Sequence, residues 1–285
     1  MATTGVGSAV EVAGITLEYT SLEHALKALG MDQQTLEKHM ATSAAWPFPG
    51  HLDGWKVSHN AIRFDMENML AAIVKTKAQV DGGKPLAEWQ VEAFKVVMGD
   101  LHHTVHKHHD HEEEIFFPWM ESRFKVPEKM GTDHKTIMSL LDKCRELTGS
   151  LKSSNNAEAQ SVLSDLHTVF TQLRHLMRQH LEEEEIVGLP LLRKHFNAKE
   201  LAKVEKKIIA SMKPSDVAWV LRPLSPAGKK ETMTRLNIPG LVQRLVFLPA
   251  IAKDDCTIIH AYKELAAGER LPLPGRKKGF MCFSA

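Results

Sequence analysis

The feature that most restricts the fold of this 285-residue chain is a motif that occurs twice, 72 residues apart. His108-His109-Asp110-His111-Glu112-Glu113-Glu114-Ile115-Phe116-Phe117-Pro118 aligns with His180-Leu181-Glu182-Glu183-Glu184-Glu185-Ile186-Val187-Gly188-Leu189-Pro190. Upstream the match continues as a pattern. Phe94, Met98, Leu101, Val105, His108, Glu112, Ile115 and Trp119 alternate steps of four and three. Leu166, Phe170, Leu173, Met177, His180, Glu184, Val187 and Leu191 repeat those steps. This spacing keeps one stripe of a helix against a neighbouring helix. An internal repeat of this kind constrains the fold before local propensity is consulted.

The preceding segments match as well. His59-Asn60-Ala61-Ile62 pairs with His134-Lys135-Thr136-Ile137, and each continues as a seam: Ile62, Met66, Met69 and Ile73, then Ile137, Leu141, Cys144 and Leu147 or Thr148. Each half is therefore a helical hairpin, and two halves predict an all-α, up-down four-helix bundle. Helices are expected over about residues 55–80, 85–117, 128–151 and 157–187, with Gly, Pro and Ser/Asn clusters between them. Residues 1–50 read as an N-terminal segment with a helix over 21–40. Residues 51–196 hold the bundle. Residues 197–285 form an extension of short helices, broken at Pro214, Pro223, Pro226, Pro239 and Pro249.

In this bundle His59, His108, Glu112, His134, His180 and Glu184 all occupy core positions. Burying two carboxylates and four imidazoles uncompensated costs several kcal/mol per group. A metal pair supplies the compensation, and residues four apart on a helix reach one centre. Imidazole with carboxylate and no thiolate suits iron, manganese or zinc, and six donors suit two ions. His109 and Glu113 repeat the same spacing one residue on. The seam and the repeat favour His108 and Glu112, while a rotated helix would admit His109. Glu182 to Glu185 are expected at the surface except for Glu184, and His102 and His106 on a solvated face.

Composition excludes other classes. With 43% hydrophobic and 25% charged residues the chain is not disordered, and 6% aromatics argues against an all-β fold. No apolar run is long enough to span a membrane. The absence of a secretory signal and three widely spaced Cys point to a reducing, cytoplasmic setting. The net charge of +1 is uneven: residues 197–285 carry 16 Lys+Arg against 8 Asp+Glu, leaving −7 elsewhere. The basic segment is a candidate surface for docking on the acidic part or on a protein partner, and no nucleic-acid partner is expected. Cys282-Phe283-Ser284-Ala285 after Arg276-Lys277-Lys278 has the form of a prenylation box.

Over about residues 51–196 the chain resembles haemerythrin-type (HHE cation-binding) domains. The resemblance lies in the His of each odd helix and the repeated His-x-x-x-Glu with Pro beyond it. It implies a non-haem di-iron centre that meets O₂ or peroxide. The implied ligands are His59, His108, Glu112, His134, His180 and Glu184, the Glu residues bridging. Where oxygen carriers have a second His after the third-helix ligand this chain has Met138, so the iron near His134 is expected to carry fewer imidazoles. That departure, and Glu184 in place of Glu185, resemble the haemerythrin domains of iron- and oxygen-sensing ubiquitin ligases, although no RING or zinc-finger array is present. The resemblance implies iron or oxygen sensing; the alternatives are a di-iron peroxidase or oxidase, and iron storage.

Overall fold

The structure is a computed structural model that describes residues 27, 29–154, 156–236 and 238–273. Every regular element among these residues is helical. Residues 21–26 and 28 of the expected 21–40 helix lie outside them, as do Cys282 and the Arg276-Lys277-Lys278 stretch. A short helix, α1 (Gln33–Met40), is capped by Asp32, whose carboxylate accepts the Thr35 N–H.

Four long helices follow: α2 (Gly54–Asp81), α3 (Glu88–His111), α4 (Glu128–Ser150) and α5 (Asn156–Glu183). α2 packs on α5, α5 on α4, and α4 on α3, which is up-down order. The apolar seams fill the interior. Ile62, Met66, Met69 and Ile73 meet Phe94, Met98 and Leu101, Ile137 and Leu141, and Leu166, Phe170 and Leu173, all buried in one cluster.

Beyond His111 the third helix runs through a wide π turn, Glu112–Phe116, into Phe117–Met120. Beyond Glu183, α5 does the same through Glu184–Gly188 into Leu189–His195. In these turns the N–H bonds five residues back, Phe117 to the Glu112 carbonyl and Leu189 to the Glu184 carbonyl. Proline is the cause. Pro118 and Pro190 lack an N–H, and their rings crowd the carbonyl four residues back; one extra residue in the turn relieves both faults. A third π turn, Gln243–Phe247, precedes Pro249 with no His-Glu motif beside it, so proline alone suffices to shape the turn.

The inserted residue corrects the predicted seam. Past Glu112 the fully buried side chains are Phe116 and Met120, whereas Ile115 and Trp119 are only partly covered. Past Glu184, Gly188 and Leu192 are buried where Leu191 was expected; Val187 remains inside.

The extension comprises α6 (Ala198–Ser211), α7 (Pro214–Leu221), α8 (Pro226–Arg235), α9 (Gly240–Val242, then the third π turn and Leu248–Cys256) and α10 (Ile258–Ala267). α10 lies against α2 and α3, and its Tyr262 and Leu265 join the bundle core together with Trp219 of α7. The polar fastening is Arg222, directly after α7. Its guanidinium reaches Asp65 of α2 at 2.6 and 2.7 Å, Asp100 of α3 at 2.8 Å and Asp254 of α9 at 2.6 and 2.9 Å. The Trp219 indole N–H also donates to Asp65, at 3.0 Å. No helix among the described residues is long and apolar enough to cross a membrane. Cys144 is buried and free.

Candidate metal centre

The π turns of the third and fifth helices face each other across the bundle, and each begins at the Glu of its motif. Two groups of buried donor atoms result. One comprises His59, His108, Glu112 and Glu184; the other comprises His109, Glu112, His134 and His180. Within each group the donor atoms lie within 4.8 Å of one another. Glu112 belongs to both, with Oε1 3.1 Å from His108 Nε2 and Oε2 3.4 Å from His134 Nε2. Glu184 falls in the first group, with His180 Nε2 at 3.5 Å.

The six residues expected from the repeat thus converge, and the structure adds a seventh. His108 and His109 are consecutive and both buried, at 6% and 4% exposure. They project about 100° apart. His108 therefore meets His59 of α2, with ring centroids 5.2 Å apart, while His109 meets His134 of α4. The seam favours His108 and admits His109 through a rotation of the helix, because a single stripe serves one neighbour; α3 here touches a helix on each flank, and both residues lie inside. The expectation of fewer imidazoles near His134 is corrected with it. Met138 packs against the main core, but His109 joins His134 and His180 to make three imidazoles.

Two flanking carboxylates orient the rings. Glu185 Oε1 lies 3.1 Å from His59 Nδ1, and Glu113 Oε1 lies 2.8 Å from His134 Nδ1. Each is the residue after a motif Glu, so the arrangement obeys the same internal symmetry. A carboxylate on Nδ1 fixes the tautomer and leaves the Nε2 lone pair directed inward. The repeat itself carried this signal, since Glu113 and Glu185 coincide in it. Reading Glu182–Glu185 as surface apart from Glu184 missed Glu185, and missed Glu183, which is buried with Lys129 at 2.9 Å. His102 pairs with Asp142 at 2.8 Å near the surface, and neither it nor His106 belongs to a donor group.

Trp55 completes the surroundings and was not anticipated. Asp53 caps α2 through the Trp55 N–H. The Trp55 indole N–H then donates to Glu112 Oε1 at 2.5 Å. The ring packs edge-on to Phe116, with centroids 4.9 Å apart. The symmetry mate of Phe116 is Gly188, where a Cβ would stand 2.7 Å from the Trp55 ring. Glycine at that position is what admits the indole.

The chemistry of the donor set fits cations. Among the described residues, Nε2 of His59, His108, His134 and His180, both nitrogens of His109, Glu112 Oε2 and both Glu184 oxygens are buried without a hydrogen-bond partner. Such atoms cost of order 1–3 kcal/mol each when left unpaired, so a set this size calls for bound ions. Burial keeps His109 and His180 neutral by pushing them well below the ordinary imidazole range, and it lowers His108. Burial opposes charge on His59 and His134 too, but Glu112 and its neighbouring carboxylates outweigh it and raise them to about 10 and about 9. Burial, then the charge of Glu112, lifts Glu184 to about 8. In Glu112 the surrounding imidazoles overcome burial and hold the carboxyl well below its usual range. Without metal the site holds its protons on His59, His134 and Glu184 around the ionised Glu112, a charge balance that metal cations take over on binding.

Comparison with protein families matches residues 50–192 to the Hemerythrin HHE cation binding domain. The chain belongs to this haemerythrin family. Both His-x-x-x-Glu motifs and both odd-helix His residues fall within the matched span. No curated protein and no solved structure matched the chain. The haemerythrin bundle ends near Leu192, so α6 to α10 lie beyond the family match.

Proposed function

We propose that this haemerythrin-family chain is a non-haem di-iron protein that binds O₂ or peroxide and takes part in iron or oxygen sensing. One ion would be held by His59, His108, Glu112 and Glu184, the other by His109, Glu112, His134 and His180. The carrying observation is the sharing of Glu112 between two complete donor groups, each of four residues. Iron bound there would supply redox chemistry toward O₂ or peroxide. The chain's own residues do the rest. Glu185 and Glu113 hold His59 and His134 in the tautomer that presents Nε2. The Trp55 indole N–H orients Glu112, whose Oε1 faces His108 and whose Oε2 faces His134. Phe116, Phe117 and Trp55 close the end of the bundle with apolar surface that keeps bulk water away.

A second reading, a di-iron peroxidase or oxidase, draws on a cavity that reaches the Trp55, His108 and Glu112 side of the centre. Metal analysis of protein loaded with iron, with its optical spectrum in air, tests both readings. The expected result is about two irons per chain and near-ultraviolet oxo-iron absorption. A single zinc without that absorption would overturn them. Catalytic loss of added H₂O₂ by the loaded protein would favour the enzyme over the sensor.

A further inference from the structure

The bundle and the extension border a half-open cavity of about 130 Å³ between Trp55, His108 and Glu112 on one side and α6, α7 and α8 on the other. Leu201, Ile208, Ile209 and Met212 line it from α6, and Trp219 from α7. O₂ and H₂O₂ need no space of that size or hydrophobicity. An apolar protein cavity of roughly 150 Å³ accommodates benzene.

One polar group in this wall is unsatisfied. Glu205 of α6 points its carboxyl at the backbone of Gly54, so closely that a Cβ at Gly54 would lie 2.3 Å from Oε1. That oxygen is buried and has no hydrogen-bond partner. Three other polar lining groups are engaged: the Ser58 hydroxyl donates to the Trp55 carbonyl at 2.6 Å, His111 Nε2 lies 3.0 Å from Ser211 Oγ, and the Arg235 guanidinium sits 5.0 Å over the Phe48 ring; His108 Nε2 and Glu112 Oε2, which lack a partner, belong to the metal centre. Burial lifts the Glu205 carboxyl to about 7, which agrees with an apolar setting.

We propose that this cavity binds a small apolar molecule carrying one hydroxyl group, its O–H donated to Glu205 and its body lying beside the His108–Glu112 edge of the centre. Alcohols, phenols and organic hydroperoxides share that chemistry. As a substrate site it rests on the di-iron reading. As a binding site it rests only on the cavity and on Glu205. The extension then has a purpose in the chemistry, because three of its helices supply the far wall.

The test is calorimetric titration of the full chain, iron-loaded and metal-free, with benzyl alcohol and with toluene as probes. Benzyl alcohol should bind one per chain and about tenfold tighter than toluene, the worth of one buried hydrogen bond. Glu205→Leu should bring the two probes to within about twofold of each other. Ile209→Trp, which fills the cavity from α6, should abolish binding of both while iron content and helical circular dichroism stay unchanged. Met212→Trp fills it independently, should Ile209→Trp lose its helicity. No saturable binding of benzyl alcohol, or equal binding by the cavity-filling variants, would overturn the proposal. Retained benzyl alcohol binding in a chain that takes up no iron would sink the di-iron reading alone.

Discussion

The His109 ring lies parallel to the His134 ring, with centroids 4.0 Å apart and planes inclined by 14°. The two come from α3 and α4, and the stack places both rings beside Glu112 and His180. Burial keeps His109 neutral, so the stack carries no second charge beside that of His134.

His109→Ala should therefore lower the metal content from about two ions per chain to about one, and Glu112→Ala, which removes the shared carboxylate, should take both. Plasma emission analysis after desalting measures this. A His109→Ala protein that keeps its full metal complement would remove His109 from the centre.

Glu113→Gln and Glu185→Gln should leave the stoichiometry intact and weaken metal affinity about 10- to 100-fold, since each strips a charged partner from a ligand's Nδ1. Competition against a chromogenic chelator reads the change. Unaltered affinity in both would mean that these carboxylates only decorate the surface.

Gly188→Ala should destabilise the chain by about 1–3 kcal/mol, because the added methyl meets the Trp55 ring and must displace it. Urea unfolding followed by far-ultraviolet circular dichroism gives the value. The Trp55 hydrogen bond to Glu112 should loosen in the same variant, visible as a red shift in tryptophan emission.

Arg222→Met should cost about 3–5 kcal/mol, since it leaves Asp65, Asp100 and Asp254 facing one another without a cation. Adding Asp65→Asn to that variant should recover part of the loss. A single variant as stable as the wild type would show that α7 is held by apolar contacts alone.

Glu205 gives a pH signature. Its folded value, about 7, exceeds the ordinary carboxyl value of 4.5, so the folded chain holds the proton more tightly than the unfolded one. The resulting stability is full below the unfolded value and is lost as pH rises through about 7. The melting temperature of wild type minus that of Glu205→Gln should therefore fall between pH ~5 and pH ~8. A difference that stays level across that range would place Glu205 in water.

The bundle and most of its donors were legible because both follow a fixed period. Seams at alternating threes and fours gave helix identity and facing, and the 72-residue repeat paired His108 with His180 and Glu112 with Glu184. Period reasoning fails where the period changes. Pro118 and Pro190 insert a residue into the turn, so Phe116 and Met120 replace Ile115 and Trp119 inside. It also fails where one helix serves two neighbours, which is why the seam favours His108 over His109 although both are buried. Trp55 and Glu205 have no counterpart in the repeat. Only the three-dimensional approach of distant segments brings them to the centre.

The position of α10 bears on the order in which the molecule is made. Every donor of the centre precedes residue 185 in the chain, yet the groove between α2 and α3 is covered only when Ile258–Ala267 arrives. Arg222 likewise waits for Asp254 before its last carboxylate is in place. A nascent chain therefore passes through a stage with its seven donors assembled and one flank still bare.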